Sequence, residues 1–167
     1  NVWHESSYWL EQVAHTEDEL KSLLDRVEKR LGNLRAFLLP SGWDRTRKQI
    51  LDQGLKIPLY QSQRGPVTFS MSVYGAENVI FMIMDRPELA ARFRDLILRA
   101  MLERSRIIAE EAGYTAATRP HGFSFFDDNC ALLNAEMYEF FGYPILKTVF
   151  ETLAPAPGAR RFQHSDS

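Results

Sequence analysis

The stretch that most constrains this chain is Phe123 to Cys130, Phe-Ser-Phe-Phe-Asp-Asp-Asn-Cys, where a short aromatic run passes directly into two carboxylates. Bounded by Gly122 before it and polar residues after it, the run reads as a buried strand. In parallel α/β folds the carboxyl ends of the strands face the ligand crevice, so Asp127 and Asp128 are expected at the mouth of a site. Downstream, Asn134 can cap a helix beginning at Ala135. Met137, Phe140, Phe141, Ile145, Leu146, Val149, Phe150 and Leu153 then keep helical spacing across an interruption at Gly142 and Pro144. The unit is a strand, an acidic loop and a kinked helix.

The rest of the chain alternates in the same way. Thr16-Glu17-Asp18-Glu19 is a capping box, and Leu20, Leu23, Leu24, Val27 and Leu31 follow at helical spacing up to a Gly32-Asn33 stop. Residues 34–39 predict a strand, 43–53 a helix and 57–61 a short strand. After Gly65-Pro66, residues 67–73 predict another strand, apolar and β-branched. Residues 78–84 form an apolar helical segment, and Asp85-Arg86-Pro87-Glu88 is a second capping box with proline in the first turn. Leu89, Phe93, Leu96, Ile97, Met101, Ile107 and Ile108 then make the apolar face of a long helix ended by Gly113. Residues 160–164 read as a last strand, and residues 1–13 as aromatic loop. Strands and helices alternating at this spacing argue for right-handed βαβ units and a parallel sheet, either open or closed as a barrel.

Composition narrows the class. With 167 residues, 45% of them hydrophobic, the chain can bury the core of one globular domain. The net charge of -2 and the lack of a basic run offer no footprint for nucleic acid, and no apolar stretch is long enough to cross a bilayer. One cysteine, Cys130, excludes an internal disulfide framework and a multi-thiolate metal site, and it suggests a reducing, cytoplasmic setting.

Six motifs, in order and at fitting intervals, resemble the uroporphyrinogen decarboxylase family. They are Gly65-Pro66-Val67-Thr68, the helix start Asp85-Arg86-Pro87-Glu88-Leu89, the Gly113 stop, the strand end Phe126-Asp127-Asp128, the run Glu139-Phe140-Phe141-Gly142-Tyr143-Pro144, and the closing Arg161-Phe162-Gln163-His164. The likeness is strongest from Gly65 to His164 and thin before Trp43. It implies a (β/α)8 barrel of which these residues form only a middle portion. A whole barrel takes about 250 residues, so the strands expected here supply roughly half of one. The expectation is a single partial domain over residues 1–167, an α/β partial TIM barrel that either belongs to a longer chain or pairs with a second copy. The resemblance also implies an activity: decarboxylation of a tetrapyrrole, a porphyrinogen of porphyrin and haem biosynthesis, by a cofactor-free carboxy-lyase. The alternative within the family is a methyltransferase using zinc and a corrinoid carried by a partner protein. An alternative of another class is a catalytically silent barrel that binds tetrapyrrole.

The candidate site residues follow. Asp128 stands where the decarboxylases carry a small polar residue, and several methyltransferase-like members carry an acid. With Asp127 it could hold pyrrole NH groups, orient a metal or serve as acid and base, since repulsion between neighbouring carboxylates raises one pKa; equally, one of the two could cap the next turn. His164 matches the histidine of the zinc-bearing members' His-x-Cys, here His164-Ser165-Asp166, which makes His164 and Asp166 the metal candidates of the methyltransferase reading. A tyrosine near the end of the Gly-Pro strand faces substrate in the family. Counting from Pro66 reaches Ser72, with Tyr74 two residues on and, in a strand, on the same face. The expected set is thus Asp128, Tyr74 and His164 in catalysis, with Asp127 and Ser72 binding substrate. Cys130, His121, His4 and the methionines Met71, Met82 and Met84 read as structural, and the arginines between Arg92 and Arg106 as a solvated helix face.

Overall fold

Helices dominate the chain because its apolar residues recur at helical spacing far more often than they alternate. In a computed structural model that describes residues 11–57, 59, 61–115 and 117–165, the elements run α1 (Glu17–Leu31), α2 (Leu34–Leu38), α3 (Trp43–Asp52), β1 (Ser62–Arg64), α4 (Pro66–Tyr74), α5 (Ala76–Asp85), α6 (Pro87–Glu111), β2 (Gly122–Phe126), a 3-10 turn (Asp128–Leu132), α7 (Ala135–Phe141), α8 (Tyr143–Leu153) and β3 (Arg160–His164). The three strands pair in parallel in the order β1-β2-β3, with Arg64, Phe126 and His164 in one row and Ser62, Ser124 and Phe162 two rows before it.

The expected partial TIM barrel is not what forms. Eight α-helices accompany a small, open, three-stranded sheet among the described residues, because two segments expected as strands are helical. Residues 34–39 are mostly α2, whose Leu, Arg, Ala, Phe and Leu suit a helix, and a run that short carries no period to separate the alternatives. Residues 67–73 lie inside α4. Its Val67, Ser70, Met71, Val73 and Tyr74 are all buried, so it lacks the polar face that identifies a helix in sequence. Pro66 at its first position supplies the pre-set φ that starts it. The strand sought at 57–61 forms later, at Ser62–Arg64.

Elsewhere the local signals act as expected. In α1 the Thr16 hydroxyl accepts the Glu19 amide at 3.2 Å while the Glu19 carboxylate accepts the Thr16 amide at 3.3 Å. The second box does not close: α6 begins at Pro87 with no side-chain cap from the residue before it. The Asn134 side chain caps α7 through the Met137 amide at 2.8 Å, and Gly142 and Pro144 split the following helix into α7 and α8.

Among the described residues, α8 packs on one face of the sheet. Phe123 and Phe125 of β2 are buried on that side, with Phe125 against Phe150 of α8 at 5.5 Å and Phe93 of α6 against Phe141 of α7 at 6.1 Å. At the other end of α6, the buried Glu111 accepts the Trp43 indole N–H at 2.6 Å and pairs with Arg35 at 2.6 Å, which fastens α2 and α3 to the core. No single helix among the described residues is long and apolar enough to cross a membrane; α4 and α5 together reach that length but are bent by 104°.

Candidate functional site

Because period-two geometry sends alternate residues to opposite faces, the rows Ser62, Ser124, Phe162 and Arg64, Phe126, His164 share the face opposite Phe123 and Phe125, which among the described residues is the more open one, though α4 borders it through Ser72. Parallel sheets are ordinarily covered on both faces, and here the open face carries aromatic and charged side chains. Phe126 is 47% exposed and Phe162 38%. Their rings meet edge to face at 6.4 Å, Phe126 lies 6.4 Å from the His164 ring, and the Arg160 guanidinium sits 5.2 Å over Phe162.

The chemistry gathers at the carboxyl end of this face. The 3-10 turn after β2 turns Asp128 toward the neighbouring strand, where its Oδ1 lies 2.7 Å from Nδ1 of His164. Both side chains are about half exposed. A carboxylate only accepts, so Nδ1 carries the shared hydrogen and Nε2 is the nitrogen left to exchange a proton with a ligand. Across the sheet, Arg64 donates from Nη1 to the Ser72 hydroxyl at 3.0 Å, and that hydroxyl donates to the Thr68 carbonyl at 2.7 Å.

Asp127 faces the other way. Its side chain is fully buried, and its Oδ1 accepts the Thr68 amide at 2.7 Å. Thr68 lies in the first turn of α4, whose N-cap, Gly65, has no side chain to satisfy that amide, so the strand end supplies the cap. The fit is close: a Cβ on Gly65 would lie 2.1 Å from Cβ and Cγ of Asp127. Burial pushes the Asp127 carboxyl above its ordinary value, opposed by the hydrogen bonds from Thr68 and Val67 and reinforced by nearby Asp128.

The structure therefore brings Asp128 and His164 together, ties Ser72 to Arg64 on the far strand β1, and places Asp127 in the adjoining cap. Tyr74 is elsewhere. Residues two apart on a helix point roughly 200° apart, so Ser72 and Tyr74 do not share the face that a strand would have given them. Tyr74 is buried beside α1, against a cavity of about 360 Å³ that also meets Glu17, Asn78 and Arg86. Burial raises its phenol above the ordinary value, and the Glu17 charge adds to this. Asp166 lies outside the described residues. Among those described, no three His, Cys, Asp or Glu side chains gather so as to hold a metal ion. Cys130 is partly buried with its Sγ 3.5 Å from Nε2 of Gln163, and burial pushes its thiol up.

Arg64, Arg160, Phe126 and Phe162 are the face residues that sequence reasoning missed. Counting back in twos from His164 reaches Phe162 and Arg160, a signal that was present. Arg64 became visible only once β1 was placed before Gly65. The chain matches no family profile, no curated protein and no solved structure.

Proposed function

We propose that the open face of the sheet binds a flat, anionic substrate and that the Asp128–His164 pair moves protons on it. In the reading that fits the sequence resemblance this is the decarboxylation of a porphyrinogen by a cytoplasmic carboxy-lyase of porphyrin and haem biosynthesis. The single observation that carries it is the 2.7 Å contact between Asp128 and His164, made between the ends of adjacent parallel strands beside the exposed ring of Phe126.

Each group has a task that its chemistry suits. Phe126 and Phe162 offer apolar rings to a macrocycle, and Arg64 and Arg160 on the same face complement its carboxylates. His164, held at Nδ1 by Asp128, lends a proton from Nε2 to a pyrrole ring carbon. The ring then accepts the electron pair released as the C–C bond to the acetate carboxyl breaks and CO2 departs. A second proton completes the methyl group, and loss of the first from the ring carbon restores the pyrrole. The balance is one acetate and one proton giving one methyl group and one CO2. The Asp128 carboxylate steadies both the imidazolium and the transient cationic ring.

The test is anaerobic incubation of the full chain with uroporphyrinogen, following CO2 release and the loss of substrate carboxyl groups by mass. Turnover that falls at least about a hundredfold in His164→Ala is expected from removal of a general acid. Binding without CO2 release would favour the silent tetrapyrrole-binding alternative. Neither binding nor release would remove the tetrapyrrole reading altogether.

A further inference from the structure

At the opposite, amino-terminal end of the sheet, five residues of β2 or about 16 Å from Asp128, lies a cavity of about 1050 Å³. It is formed by the second half of α6, the end of α8 and the segment that leads into β2. Leu31, Leu102, Ala109 and Leu153 give it apolar wall, interleaved along α6 with Arg99, Glu103, Arg106 and Glu110, while Arg119 and His121 come from the segment before β2.

The cations bordering this cavity are not equivalent. Arg106 is held by Glu103 at 2.6 Å and by Glu110 as well, and Arg99 pairs with Glu28 at 3.3 Å. Arg119 pairs with no carboxylate among the described residues. It donates a long hydrogen bond, 3.4 Å, from Nη2 to the Thr152 carbonyl. Its partial burial lowers its pKa, as desolvation does to a cation that gains no counter-charge. A planar guanidinium drawn out of water and left without an anion is the usual anchor for a carboxylate. Glu103 and Glu110 border the same space, and although Arg106 neutralises them in part, they disfavour a ligand with several negative charges.

We propose that this cavity binds a small organic monoanion, a carboxylate with an apolar body, whose head group pairs with Arg119 and whose body lies against Leu102, Ala109 and Leu153. Its volume is close to the upper limit for small-molecule sites, and of the arginines bordering it Arg119 is the one that no described carboxylate neutralises. The site is separate from the proton-transfer face, so it stands or falls independently of the reading proposed for Asp128 and His164.

The probe is octanoate, with octanol as the uncharged control, titrated calorimetrically into the full chain. Octanoate is expected to bind at least about tenfold more tightly than octanol, the factor that a single charge-assisted hydrogen bond carries. Arg119→Gln should erase that difference, and His164→Ala should leave it intact. A check that needs no variant is phenylglyoxal labelling read by peptide mass, in which octanoate should slow modification of Arg119. Equal affinity for octanol, undiminished octanoate binding in Arg119→Gln, loss of binding in His164→Ala, or no protection of Arg119 would each overturn the proposal.

Discussion

Asp127 at the end of β2 accepts the amide of Thr68, 59 residues earlier in the chain, at 2.7 Å, and so caps a helix whose own N-cap position is glycine. Removing the carboxyl in Asp127→Ala orphans a helix-terminal amide in the core and should cost about 1–3 kcal/mol by urea denaturation. Asp127→Asn keeps an accepting oxygen and should lose less. The two also differ in pH dependence. Burial raises the folded-state pKa of Asp127, so its contribution to stability is fully present below the ordinary carboxylate value of about 4 and is lost as pH rises through the raised folded value. Asparagine does not titrate, so the stability deficit of Asp127→Asn should be largest in acid and should shrink toward neutral pH. A deficit constant across that window would show that Asp127 ionises as freely folded as unfolded.

Gly65 is the counterpart of that cap. Its φ of -65° is open to any residue, so its requirement is space: a Cβ there would lie 2.1 Å from Asp127. Gly65→Ala should therefore cost at least about 1–3 kcal/mol through overpacking, since the obstacle includes the first side-chain carbon of a buried residue. A melting temperature equal to that of the parent chain would mean that the β2 end moves aside freely.

How much of this was legible can be argued from those same residues. The sequence pattern located α1, α6 and α7 because each has either a clear period or a punctuating cap, as Thr16 supplies to α1 and Asn134 to α7, and it also placed β2, β3 and α3. It could not identify α4, since a helix with no exposed residue shows no charged stripe and its run of valine, phenylalanine and methionine suits a strand equally well. That misreading had a consequence at the site: Ser72 and Tyr74 were put on one face by a period of two, whereas the helix sends Ser72 to Arg64 and Tyr74 to α1. Asp127 and Asp128 were adjacent in sequence and expected together. A strand end turning into a 3-10 helix directs one inward to a cap and the other outward to His164, a division set by tertiary contacts that the sequence does not display.

Glu111 bridges the first helices to the core, so its substitution should be felt well beyond its own helix. Glu111→Gln keeps an oxygen for the Trp43 indole but loses the charge that Arg35 and Arg47 face. Truncating one member of a buried pair costs more than an exposed pair contributes. Because Glu111 is buried while Arg35 is half exposed, a loss of about 1–2 kcal/mol is expected. With Trp3 and Trp9 replaced by phenylalanine, Trp43 fluorescence should report the loosening of α3 before the rest of the chain unfolds. Coincident transitions by fluorescence and far-ultraviolet circular dichroism would show that α3 does not detach separately.

Asp128 is the residue at which structural and functional roles separate most cleanly. Its partner is His164 on an exposed strand end, and both side chains are about half open to water. Such an exposed pair contributes little to folding, about 0–1 kcal/mol, so Asp128→Asn should leave the melting temperature nearly unchanged. Its effect on proton transfer is expected to be larger. An amide can donate to Nδ1 where a carboxylate can only accept, so it no longer fixes the hydrogen there or leaves Nε2 as the exchanging nitrogen. Porphyrinogen turnover should fall by at least about tenfold, with binding less affected, because the imidazolium loses the counter-charge that steadies it as the proton moves. A nitrogen-15 correlation spectrum of His164 gives an independent readout, since the tautomer should shift from Nδ1-protonated toward a mixture in the variant. Unchanged tautomer populations together with unchanged turnover would reduce the Asp128–His164 contact to a surface hydrogen bond and remove the basis for assigning proton transfer to it.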